Sequence, residues 1–91
     1  MEVEIGKVRH YFNHLQVAVL SLTDNLKLGD KIHIRGHTTD LIERVASMEV
    51  NHHQVEWVKA GDDVAIKVNT PVHEHDTVYL IVEETPVQHN T

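Results

Sequence analysis

Apolar and polar residues alternate along most of this chain with the two-residue period of strands, and turn formers interrupt the alternation at short intervals. From Val3 to Phe12 the apolar positions are Val3, Ile5, Val8, Tyr11 and Phe12, with a change of phase near Gly6 that predicts a bulge. Asn13-His14 breaks the pattern, and Leu15 to Leu22 resumes it with Ala18, Leu20 and Leu22 on one face, which reads as a hairpin. Thr23-Asp24-Asn25 is expected to be a loop, and Leu26 to Asp30 a turn. The cleanest alternation follows, with Ile32 and Ile34 opposed to Lys31, His33 and Arg35. Thr38-Thr39-Asp40 has the form of a helix cap, but too few residues follow it before Val45. Thr38 to Glu43 is therefore read as a loop, and Val45 to Val50 as the next strand.

Asn51-His52-His53 is a turn, and Val55 to Ala60 is an ambiguous segment carrying the single tryptophan, Trp57. Gly61-Asp62-Asp63 opens a strand with Val64, Ile66 and Val68 on one face. Pro71 to Asp76 is a loop, and Thr77 to Val82 the last strand. The expectation is an all-β, single closed antiparallel barrel of about six strands over residues 1–82, with 83–91 a frayed polar tail. Closure would remove the sheet edges that so small a domain must otherwise protect.

Composition narrows the class. The chain has 91 residues, 41% of them hydrophobic and only 4% aromatic, which suits one strand-rich core. Without cysteine, neither disulfides nor thiolate metal sites can hold the fold. Met1-Glu2-Val3-Glu4 lacks the apolar run of a secretory signal, and no stretch has the length to span a bilayer, so a soluble, cytoplasmic protein is expected. The formal charge of −6 disfavours non-specific binding to polyphosphate. Nine histidines would carry that charge toward neutrality near pH 6, where solubility should fall.

Lys27-Leu28-Gly29-Asp30-Lys31-Ile32 and Lys59-Ala60-Gly61-Asp62-Asp63-Val64 each place Gly-Asp just before a β-branched strand. Gly29 and Gly61 can take a positive φ, while Asp30 and Asp62 can bond to nearby backbone, so all four are read as structural turn residues. With Ile5 to Phe12, Ala18 to Leu22, Lys31 to Gly36 and Val45 to Met48, these elements resemble, in order and spacing, domain 2 of translational GTPases of the elongation factor Tu type. More closely, they resemble small translation elongation factor-like proteins and the C-terminal barrel of collagenase-like peptidases. The resemblance runs from about Glu4 to Tyr79. It implies a barrel that contacts a nucleotide domain or RNA in the factors, and one that stands apart from the catalytic residues in the peptidases.

Chemistry is thinly represented. No GxxxxGK[ST] loop exists, so no nucleotide is expected as a ligand. Asp62-Asp63 and Glu83-Glu84 would point to opposite faces of a strand, and no GxSxG elbow surrounds Ser21 or Ser47. No catalytic residue and no cofactor are assigned. His73 and His75, with Glu74 between them, are the candidate metal ligands, though chance use of histidine in a polar loop explains them more simply. Lys7, Arg9 and Tyr11 share one parity of the first strand, and Lys31, His33 and Arg35 one parity of the third. Side by side they would form a basic stripe suited to RNA or to an acidic protein, whereas a solvated outer face is the plainer reading. The leading expectation is a non-enzymatic module contacting RNA or a ribonucleoprotein. The alternative is a protein-docking subunit beside a separately encoded collagenase-like peptidase or other enzyme, and metal binding through histidine comes third. A protein or ribonucleoprotein partner is expected, and no membrane.

Overall fold

Eleven residues, Glu2–Phe12, form the first strand (β1), long enough to pair with two partners in succession because two bulges bend it. The first lies between Glu4 and Gly6, at the phase change in the sequence, and leaves Ile5 and Gly6 both buried. The second lies between Val8 and His10, and leaves Arg9 and His10 both exposed. In a computed structural model, which describes residues 1–83, nine further strands follow. They are β2 (Val17–Leu22), β3 (Leu26–Lys27), β4 (Lys31–Arg35), β5 (Asp40–Arg44), β6 (Met48–Val50), β7 (His53–Gln54), β8 (Trp57–Val58), β9 (Asp63–Lys67) and β10 (Thr77–Ile81). No helix is assigned among the described residues, and accordingly none is long and apolar enough to cross a membrane.

Eight strands make one antiparallel sheet in the order β5-β4-β10-β1-β2-β9-β6-β7, and β3 pairs with β8 in a second, two-stranded sheet. The expected closed barrel is corrected here. The ladder ends at β5 on one side and at the two-residue β7 on the other, and no backbone pairing among the described residues joins them. The large sheet nevertheless shares one core. Leu41 from its first strand, Met48 from β6 and Ile5, Leu20, Ile34 and Val78 between them all belong to one buried cluster, which Leu26 and Val58 of the small sheet complete. Glu43 of β5 accepts from Nδ2 of Asn69, in the link that follows β9, at 3.0 Å.

Two boundaries differ from those expected. Residues 40–44 are a strand and Val45 to Ser47 the link, the reverse of the sequence reading. The hairpin is tight, with Gly36 donating to the Thr39 carbonyl at 2.9 Å, and adjacent Leu41 and Ile42 conceal its alternation, since Leu41 is buried and Ile42 exposed. Leu26-Lys27, read as part of a turn, and Trp57-Val58, left ambiguous, are the two halves of the small sheet. Of the expected tail, residues 84–91 lie outside the described residues.

Candidate interaction surface

Three turns of one construction set the strands that carry the surface. In Lys27-Leu28-Gly29-Asp30, Asp30 N–H donates to the Lys27 carbonyl at 3.1 Å, and its carboxylate accepts from Lys27 N–H at 2.9 Å. Gly29 has φ 85°, the conformation a type II turn needs at its third residue. Lys59-Ala60-Gly61-Asp62 repeats this with Gly61 at φ 94° and contacts of 3.2 and 3.4 Å. A third copy is His73-Glu74-His75-Asp76: Asp76 N–H donates to the His73 carbonyl at 3.1 Å, and its carboxylate accepts from His73 N–H at 2.8 Å. His75 takes the glycine position at φ 75°. The turns precede β4, β9 and β10.

The candidate metal ligands His73 and His75 therefore sit in a strand-launching turn. His73 Nδ1 lies 3.0 Å from Thr39 Oγ1 and 3.9 Å from Asp76 Oδ2. A Thr-His-Asp set invites comparison with a nucleophilic triad, but a triad uses both ring nitrogens, one for the hydroxyl and one for the carboxylate. Here both partners meet Nδ1, and Thr39 is itself buried. Among the described residues no group of three or more His, Cys, Asp or Glu side chains is placed to hold a metal ion.

The expected stripe is dispersed by β10, which lies between β1 and β4. Lys7 and Arg35 fall in one row across it, both opposite Thr77, and Lys7 Nζ donates to Thr77 Oγ1 at 2.8 Å. Arg35 stands 6.0 Å from the Tyr79 ring centroid, within cation–π range. Arg9 pairs with Asp63 of β9, on the other side of β1. Tyr11 does not share the face of Lys7. The second bulge shifts the phase, and Tyr11 packs partly buried against the core. Lys31 is only partly exposed.

His33 is the one member of the stripe that is buried, at 8% exposure. Its Nδ1 lies 2.8 Å from Glu2 Oε2, and its Nε2 contacts Asp40 Oδ1. Burial alone would lower its pKa, but the hydrogen bonds and charges of Glu2 and Asp40 outweigh burial and raise it above 6.5. Carboxylates on both nitrogens leave neither one for a nucleophile or a metal. The triple instead ties β1, β4 and β5 together across their outer face. Carboxylates thus interrupt the row of cations, and the face is of mixed charge rather than basic.

Sequence reading passed over the most exposed aromatic. Trp57, in the segment whose sequence pattern is ambiguous, is 63% exposed. It stands beside a shallow cleft lined by Val55, Glu56, Val58, Lys59 and Asp62. Its neighbour Val58 and the facing Leu26 turn inward, so β3 and β8 anchor the small sheet while Trp57 projects from it. Ile42 of the edge strand β5 is 51% exposed. Trp57 and Ile42 are thus apolar side chains held in solvent by two different strands, one in each sheet.

No family model matches the chain. Over 83 residues it is 43% identical to an uncharacterized protease of Methanocaldococcus jannaschii, an alignment that takes in 90% of this chain and 20% of that protein. The chain thus spans one fifth of the length of the curated relative it matches. Its fold is that of the C-terminal domain of a Geobacillus thermoleovorans protein assigned to the U32 peptidases, with a TM-score of 0.80 at 14% identity, covering 86% of this chain and 91% of that domain. The selenomethionine form of the same domain gives a TM-score of 0.79 over 84% of this chain and 96% of that one. The peptidase side of the resemblance read in the sequence is supported by these similarities, and the translation-factor side gains nothing from them. This chain is similar in sequence to a fifth of one protease, and in fold to the C-terminal domain of another protein assigned to the peptidases.

Proposed function

We propose that the chain is a non-enzymatic docking module that works with a peptidase, either as a separate subunit or as part of a longer protein. The observation that carries this reading is the 43% identity to a region that makes up only a fifth of a protease. The surface chemistry accords with it. His33 has both nitrogens committed to carboxylates, His73 offers one nitrogen to both its partners, and neither arrangement activates a nucleophile. What the surface offers is the exposed Trp57 and a field of mixed charge, which suits a protein partner better than a polyphosphate backbone.

The test is to mix the purified, nuclease-treated chain with the M. jannaschii protease from which the matching region has been deleted. A stoichiometric complex on gel filtration is expected, and the chain alone should leave casein uncleaved. Separate elution of the two proteins, or cleavage by the chain alone, would overturn the proposal.

A further inference from the structure

β5 is the outer strand of the large sheet on its longer open side. Its ladder with β4 is regular from Lys31↔Arg44 to Arg35↔Asp40. Hydrogen bonds at its two ends fix which groups point inward: Gly36 donates to the Thr39 carbonyl, and Val45 donates to the Asp30 carbonyl, both at 2.9 Å. Because antiparallel hydrogen-bonding pairs alternate, residues 39, 41, 43 and 45 direct their backbone groups toward β4. The N–H and C=O groups of Asp40, Ile42 and Arg44 therefore face away from the sheet, and no backbone partner meets them among the described residues. The side chains of the same three residues share the outer face. Asp40 and Arg44 side chains are 80% and 59% exposed, and Ile42 is 51% exposed.

Such an edge is a template for another strand, and charges on an edge ordinarily discourage pairing. Here their order matters more than their presence. We infer that β5 pairs antiparallel with β5 of a second copy of this chain about a two-fold axis at Ile42. In that register Ile42 faces Ile42 of the copy, Asp40 faces the copy's Arg44, and Arg44 faces the copy's Asp40. All three residues on each side meet as hydrogen-bonded pairs, so the outward backbone groups are satisfied while opposite charges are matched. A parallel, in-register pairing would instead set Asp40 against Asp40 and Arg44 against Arg44, so the charges select the two-fold arrangement.

The existing contacts leave capacity for this. Asp40 uses Oδ1 on His33 and keeps Oδ2, while Arg44 donates to the Gly29 carbonyl and to Glu83 with two of its five N–H groups. A single five-residue ladder falls below the roughly 1,200 Å² of stable interfaces, so the dimer is weak and concentration-dependent, with a dissociation constant of about 10–1,000 μM.

Sedimentation equilibrium of the full chain across that range is expected to show mass rising from monomer toward dimer. Asp40→Arg and Arg44→Asp each put like charges opposite one another, and each variant alone should remain monomeric. An equimolar mixture of the two should associate again, because the introduced charges complement each other across the axis. Ile42→Pro removes an N–H that points away from the sheet, which an edge strand tolerates, and it should also give a monomer with an unchanged circular dichroism spectrum. It serves if Asp40→Arg fails to fold for want of the His33 contact. A wild-type monomer at every concentration, a folded Ile42→Pro that dimerises as the wild type does, or folded charge variants that do not associate on mixing would overturn the inference. The result is independent of whether a peptidase binds the chain.

Discussion

His75 occupies the third position of a turn that two other segments fill with glycine, and it does so at φ 75°. A left-handed conformation costs an L-residue about 1–2 kcal/mol, partly offset against glycine's larger entropy in the unfolded chain. His75→Gly should therefore leave stability unchanged or raise it by up to about 1 kcal/mol, whereas Gly29→Ala should cost about 1 kcal/mol in a urea melt. A Cβ on Gly29 would meet no atom within 4 Å, so its cost would come from the backbone alone. His33 makes a different prediction. Its pKa is raised in the folded chain, so the stability it adds is fully present below 6.5 and is lost as pH rises through the folded value. The excess melting temperature of wild type over His33→Asn should be largest below pH 6.5 and shrink as the pH rises above it. An excess that grows with pH would contradict the placement of Glu2 and Asp40 about the ring. The two Gly-Asp turns could be read in the sequence because glycine announces a positive φ. The third was hidden because His75 does not, and the two histidines on either side of Glu74 suggested metal chemistry instead.

Among the elements, the strands with clean alternation were legible: Ile32 and Ile34 in β4 and Val64 and Ile66 in β9 all face the core as the pattern requires. Where the phase shifts inside a strand, parity stops predicting the face. The second bulge of β1 is not marked by glycine, and it moves Tyr11 away from Lys7 toward the core. The two-residue strands β3 and β8 are too short to show any period. Burial holds them in place, and that gives an asymmetric prediction. Leu26→Ala, in a fully packed position, should cost about 2–5 kcal/mol by chemical denaturation. Trp57→Ala, one strand away and exposed, should change stability by no more than about 0.5 kcal/mol while weakening any complex that the ring anchors. Equal destabilisation by both would mean that the indole is part of the core.

At the scale of the molecule, the sequence pattern led to an all-β fold around one core but not to the edges of its sheet. Hydrophobic alternation reports which side of a strand is covered and says nothing about whether the first and last strands meet. An open ladder changes what the fold can do, because β5 presents backbone groups that a closed cylinder would have consumed. The same limit applies to function. The Gly-Asp turns and β-branched strands specify a scaffold, and a scaffold of this kind is compatible with many partners. The similarity to a fifth of a protease is what directs the proposed docking role toward a peptidase, with the exposed Trp57 as its candidate anchor. Hydrogen–deuterium exchange of the chain, with and without the M. jannaschii protease lacking its matching region, tests this most directly. Slower exchange confined to one contiguous face is predicted; exchange unchanged at every amide under saturating partner would contradict it.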